Sequence, residues 1–232
     1  MGRKPDHPAA DPTRTRILAA AIDVFSELGY AGASLRVIGK RARLNPAGVT
    51  YYFATKERLW LAASEEISRP LLAIAVAVVA ERQPARVTLR ALLGGLFDAF
   101  AADPRPARLM MWSAMQAGQL DFERTLAVFQ PVIALGTTYF QAAQRAGELP
   151  DDIDVPVVLP LVFGLFIYTF IAQPGQRRHF GADVSNRQFG ARARAAMLDG
   201  AERLLALDRV KAGRGARRPA PPRRSRARVD ER

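Results

Sequence analysis

The chain has no cysteine among its 232 residues, which excludes disulfides, thiolate zinc sites and cysteine nucleophiles. Histidine is almost as scarce: only His7 and His179 occur. An imidazole metal cluster or a serine–histidine charge system would have to rest on one of these two. The common enzyme signatures are missing too. There is no GxSxG, GxGxxG or HExxH, and Gly39 and Lys40 lack the preceding glycine that a P-loop needs. No apolar run follows the first basic residues, so no secretory signal is expected and the cytoplasm is the default. Strand-like alternation and fixed-period repeats are also missing. The expected fold class is all-α, with no catalytic residue, no metal and no cofactor.

What the chain does have is apolar mass and unevenly placed positive charge. Hydrophobic residues make up 49% and aromatics 8%, enough for a real core in one large domain or two smaller ones. The net charge is +12. Residues 31–60 hold Arg36, Lys40, Arg41, Arg43, Lys56 and Arg58 against Glu57 alone. Residues 61–210 are balanced, with fifteen cations and fifteen anions, whereas residues 211–232 carry nine cations against Asp230 and Glu231. A basic head and tail on a neutral body is the footprint of a protein that meets a polyanion.

Helix signals divide the chain. Residues 1–10 lack apolar periodicity and read as a disordered arm. Asp11 and Pro12 read as N-cap and first helical residue, and Ile17, Ala21, Val24, Phe25 and Leu28 recur at helical spacing until Gly29 stops the helix. Ser34 caps a short helix over 35–42, with Leu35, Ile38 and Ala42 inward and Arg36, Lys40 and Arg41 outward. After a brief break at Arg43 and Leu44, Asn45 caps another, with Pro46 at its first position. Val49 and Phe53 anchor that helix to the first, which turns Thr50 and Tyr51 towards a partner. Thr55 caps a longer helix that Pro70 should kink or interrupt. Further helices are expected over 84–102, from 104 onward, over 122–146 with a bend at Pro131, over 155–172 and over 185–207. From 210 the chain turns Arg-, Pro-, Ala- and Gly-rich, as a disordered basic tail does.

Two short helices joined by a tight turn, basic on one side and small at the start of the second, can lay that second helix in the major groove of DNA. From Thr15 to Trp60 the match to a known family is specific. The first helix carries Ile17, Ala20, Ala21, Phe25, Gly29 and Tyr30. The second carries Ser34, Leu35, Ile38 and Ala42. Tyr51, Tyr52, Phe53, Thr55, Lys56, Glu57 and Leu59 follow the third. This stretch of about 50 residues resembles the DNA-binding domain of the tetracycline-repressor (TetR) family of bacterial regulators. The resemblance implies a helix-turn-helix domain over 11–60, with its motif at 34–53. It also implies a larger helical effector-binding and dimerisation domain over 61–209, homodimerisation through the last two helices, and ligand control of binding to a double-stranded, palindromic operator. The family usually has glycine where this chain has Arg43. Either the turn avoids the left-handed region or Arg43 accepts the strain.

The expected DNA-binding residues are Ser34, Arg36, Asn45, Pro46, Ala47, Gly48, Thr50, Tyr51, Tyr52 and Lys56. Arg36 matches a family position that reaches a guanine edge or a phosphate, and a bidentate arginine–guanine contact discriminates by roughly 1–3 kcal/mol. Pro46 and Ala47 either touch a thymine methyl or simply clear space for the backbone. Tyr51 and Tyr52 suit phosphate contacts, although one of them can equally pack inside the domain. Lys56, at a helix N-terminus, is expected on a phosphate. Ser34 is first of all a cap.

In the body, Phe97, Phe100, Met110, Met111, Trp112, Met115, Phe129, Tyr139, Phe140, Phe163, Phe166 and Tyr168 are candidates to line an effector pocket, set against the simpler reading of plain core. A pocket of this composition takes a small apolar or aromatic effector. Val158, Val162, Phe166, Phe189, Ala193, Ala196, Met197, Gly200 and Leu204 are the expected dimer interface, a four-helix contact across a two-fold axis. The rival reading is a membrane-associated helical protein anchored by the uncharged stretch 155–172, with the basic tail on lipid. Pro156, Pro160 and Gly164 interrupt that stretch, so no membrane partner is expected.

Overall fold

The computed structural model describes residues 11–115 and 127–209. The expectations for the arm, for the start of the helix over 122–146 and for the basic tail lie outside the described residues. Ten helices are described, and no strand occurs among the described residues: α1 (Pro12–Gly32), α2 (Leu35–Arg41), α3 (Pro46–Tyr52), α4 (Lys56–Ala80), α5 (Ala85–Ala102), α6 (Arg105–Met115), α7 (Gln130–Arg145), α8 (Val155–Ile171), α9 (Gln173–Phe180) and α10 (Arg187–Leu204).

Side-chain caps set the starts of the first four. The Asp11 carboxylate accepts from the Thr13 N–H at 2.7 Å, the Ser34 hydroxyl from Val37 at 3.2 Å, the Asn45 carbonyl oxygen from Gly48 at 2.7 Å and the Thr55 hydroxyl from Arg58 at 3.1 Å. Each satisfies one otherwise orphaned donor. In α1, Gly29 sits at φ 68, ψ −179, a region essentially restricted to glycine, and one more turn follows before Ala33.

Pro70 does not interrupt α4, which runs unbroken through it. Burial on both sides overrides the lost N–H. Leu59, Trp60, Ala63 and Ile67 pack into the head with α1–α3, while Leu71 and Ala75 pack into the body. Pro131 lies in the first turn of α7, where its missing donor costs little, just after a turn at Val128 and Phe129 that parts α7 from the helical Ala127. The short helix α9 was not expected. It starts with Pro174 in its first turn and ends on Gly181 at φ 61.

The head closes around Phe25, which meets the Trp60 ring edge-on at a centroid distance of 4.9 Å. The body is built on α5, α8 and α10, with α7 across them. Helix α6 belongs to both, because its Leu109 is buried in the head's core. Among the described residues no single helix is long and apolar enough to cross a membrane; α8 and α9 reach that length only together, across a 63° bend.

Candidate nucleic-acid interface and effector cavity

The turn between α2 and α3 is closed by two hydrogen bonds. The Arg43 N–H donates to the Lys40 carbonyl at 3.2 Å and the Leu44 N–H to the Gly39 carbonyl at 2.8 Å. This is the pairing of a Schellman motif, whose C′ residue adopts a left-handed backbone. Arg43 is that residue, at φ 57; it accepts the strain. Glycine is needed instead at position 39, where an added Cβ would lie 2.8 Å from the Leu44 carbonyl oxygen.

The head's cations fall into two groups. Arg36, Lys40 and Arg43 are exposed, and no ion pair or hydrogen bond holds their side chains among the described residues. Arg58, in the first turn of α4, is likewise exposed and unpaired among the described residues, whereas Arg16, Arg41 and Lys56 are committed. The Arg16 Nε donates to the Ala42 carbonyl at 2.9 Å, and Arg41 pairs with Glu27 at 3.3 Å and Asp23 at 3.8 Å. Lys56, expected on a phosphate, donates to the carbonyls of Tyr30 at 2.8 Å and Ala33 at 2.9 Å. Its ammonium also stands 4.2 Å from the centroid of the Tyr30 ring, and burial pulls its pKa below the ordinary lysine value. Two of its three donors thus join the end of α1 to the start of α4.

Of the other expected contacts, Pro46, Ala47 and Thr50 are exposed and Gly48 is half-buried. The Thr50 hydroxyl donates back to the Pro46 carbonyl at 2.9 Å. Tyr51 is 57% exposed, whereas Tyr52 is half-buried against the head's core. Ser34 and Asn45 remain at the surface as caps.

In the body, α5, α6, α7 and α8 surround a cavity of about 310 Å³. Leu89, Leu92, Leu93 and Leu96 supply one wall. Met110, Met111, Phe129, Ile133, Phe140 and Phe163 supply much of the rest. Among the expected candidates Met110, Met111, Phe129, Phe140 and Phe163 line it. Phe97, Phe100 and Phe166 are buried and pack on Phe170, at ring distances of 5.2, 5.4 and 5.4 Å. They are core, because their side of each helix faces the neighbouring helices. The Tyr139 hydroxyl meets Thr88 at 2.8 Å and donates to the Gln83 carbonyl. Trp112 and Met115 line a different cleft, beside Glu27 and Arg108. Aliphatic residues, not aromatic ones, were the missed lining.

The cavity's own wall reaches the head. At its start, Arg105 of α6 binds Asp23 of α1 at 2.7 Å and Asp103 at 2.7 Å. Hydrogen bonding to Asp103 is the main cause that raises the Arg105 pKa, against burial and with help from Asp23. One and two turns on, Trp112 Nε1 donates to the Ser26 carbonyl at 3.3 Å, while Met110 and Met111 face the cavity. Asp23 is also the residue that Arg41 of α2 approaches.

Comparison with known proteins agrees with this arrangement. Residues 17–63 match the family model described as bacterial regulatory proteins, tetR family. Residues 79–180 match the tetracyclin repressor-like C-terminal domain. The chain belongs to the TetR family. It is therefore a DNA-binding transcriptional regulator and not an enzyme. Among TetR-family relatives, the uncharacterized regulator Mb2936c of Mycobacterium bovis is 30% identical over 67% of this chain and 80% of its own length. The transcriptional repressor SCO4008 of Streptomyces coelicolor is 28% identical over 68% and 79%. A solved structure titled SmeT–triclosan complex shares the fold, with a TM-score of 0.64 at 21% identity over 91% of this chain and all of that one.

For a TetR-family chain, the outer surface of α8 is informative. Val157, Leu161, Leu165 and Tyr168 are 56–62% exposed, at the spacing of one helix face. Val162 and Phe166, expected in the dimer interface, are instead buried in the chain's own core. Helix α8 is apolar all round, so both faces fit a dry environment and only packing decides which is inside. Val158, Phe189, Ala193 and Met197 are half-buried against the same core, Gly200 is half-buried, and Ala196 and Leu204 are exposed.

Proposed function

We propose that the chain is a cytoplasmic, homodimeric repressor that a small molecule releases from a palindromic operator. Two copies pair through the α8 face of Val157, Leu161, Leu165 and Tyr168, joined by Ala196 and Leu204 of α10. Their α3 helices enter successive major grooves, roughly 34–36 Å apart or somewhat more. Arg36 reads a base edge, Thr50 and Tyr51 face the groove, and Lys40 and Arg43 meet phosphates. The observation that carries this reading is the segregation of the head's cations. Arg36, Lys40 and Arg43 on the α2–α3 surface have no partner among the described residues, and neither has Arg58 at the start of α4, whereas Arg16, Arg41 and Lys56 are spent inside the head.

Release follows from the shared helix α6. A molecule in the cavity touches Met110 and Met111, and α6 is tied to α1 through Arg105–Asp23. An effector that favours one placement of α6 shifts the heads, provided that its affinity differs between the two placements. The description of SCO4008 as a repressor and the triclosan complex of SmeT support the two halves of this reading.

The test is selection of genomic DNA on the full-length protein, followed by gel shift on the enriched sequence and sedimentation of the complex. Two chains per inverted repeat are expected. Arg36→Ala should weaken binding mainly at one operator base, by roughly 1–3 kcal/mol. Wild-type binding by Arg36→Ala, or no sequence enriched over random DNA, would sink the reading.

A further inference from the structure

We infer that the molecule held by the body's cavity is uncharged and largely hydrocarbon or aromatic, with one hydrogen-bonding group that meets the Thr137 hydroxyl. This rests on the effector reading above and names the chemistry of that same site.

The described lining contains no ionisable side chain. An ion entering such a site gives up its water and gains no counter-charge, so it is excluded far more strongly than a neutral polar group. The described cations of the surrounding helices lie off this lining: Arg108 stands in the cleft beside Trp112, and Arg145 is exposed in the last turn of α7. Arg86 and Arg90 of α5 are both on Glu202, at 2.7 and 2.5 Å, and Arg105 is on Asp23 and Asp103.

Two hydroxyls line the cavity, Ser113 and Thr137. The Ser113 hydroxyl donates to the Leu109 carbonyl at 2.8 Å, as a helical serine commonly does. The Thr137 hydroxyl makes no hydrogen bond among the described residues. A single unspent hydroxyl in an apolar wall favours a ligand with one polar group and penalises one with several. Gly136, beside it, widens the space: an added Cβ there would meet nothing within 4 Å. Met110 and Met111 supply adaptable surface, so the site selects on charge and polarity more than on outline.

The probe is neutral N-phenyl-1-naphthylamine bound to the full-length protein and displaced by 1-decanol or by decanoate at pH 8. Saturable probe uptake is expected, with decanol displacing it at a concentration at least about tenfold lower than decanoate does. Thr137→Val should weaken decanol about fivefold, while Thr137→Ser, which keeps the hydroxyl, should stay within about twofold of the wild type. Gly136→Leu should abolish uptake without loss of helical circular dichroism. The inference is overturned by any of four results: no saturable uptake, decanoate competing as well as decanol, decanol indifferent to Thr137→Val, or uptake surviving in Gly136→Leu. Gel shift on the same preparations separates the two readings. Operator binding with a preference for decanoate sinks only this inference. A preference for decanol in a protein that binds no operator sinks the regulator and leaves the cavity's chemistry standing.

Discussion

In the head, α1–α4 close on Phe25 and Trp60 with their rings edge to face and both fully buried. In the body, α5–α8 stand apart around a cavity of about 310 Å³. The head presents side chains to a fixed outside object, so its short helices are capped at every start and pinned from behind. The body leaves part of its own core unfilled, as the proposed binding of an effector inside it requires. That open space forgoes dispersion contacts, and a ligand restores them. The close packing of the head and the open space in the body predict that core stability concentrates in the head.

The largest expected effect breaks this contrast at its strongest point. Phe25→Ala removes a ring at 0% exposure from the head and should cost about 3–5 kcal/mol. Ile133→Ala on the cavity rim, at 39% exposure, should cost under about 1 kcal/mol. Chemical denaturation of both variants measures the difference. Similar losses would mean that the head is no tighter than the body.

A smaller effect tests the link between the two. The Arg105 and Asp23 side chains are 41% and 34% exposed, so Arg105→Ala should change stability by no more than about 1 kcal/mol. Its expected effect is on coupling. Operator affinity without ligand and ligand affinity without operator should hold, while the factor by which saturating ligand weakens operator binding falls several-fold. An unchanged factor would send the signal elsewhere, with the Trp112–Ser26 contact the next candidate.

The same contrast explains what the sequence disclosed. Caps at Asp11, Ser34, Asn45 and Thr55, and the inward set Ile38, Ala42, Val49 and Phe53, are local signals, and the head follows them. Lys56 is the exception. Nothing in the spacing of residues shows that the carbonyls of Tyr30 and Ala33 converge on its ammonium, so a lysine at a helix start looks free for phosphate. In the body the decisive facts are not local. Whether Phe166 or Phe163 meets a cavity depends on how α8 is rotated against α5 and α7. A helix without a polar face carries no mark of that rotation, so its sequence does not distinguish the buried Val162 from the exposed Leu161. Pro70 misled for a related reason: burial on both of its sides keeps α4 whole.

Arg43 offers the finest test, because there the head's rigidity and its reading surface conflict. A non-glycine residue at φ 57 carries strain of about 1 kcal/mol or more. Arg43→Gly removes that strain, while the freer unfolded chain takes back about 0.4–1 kcal/mol. The net should be a gain between zero and about 1 kcal/mol, a rise of a few degrees in melting temperature. The same change deletes an unpaired cation from the turn before α3, so operator and random DNA should both bind more weakly, with the salt slope falling by about one. Arg43→Lys keeps both charge and strain, and should keep the slope. A stabilised Arg43→Gly with an unaltered slope would show that the arginine meets no phosphate. The strain at this turn would then have no counterpart on the DNA.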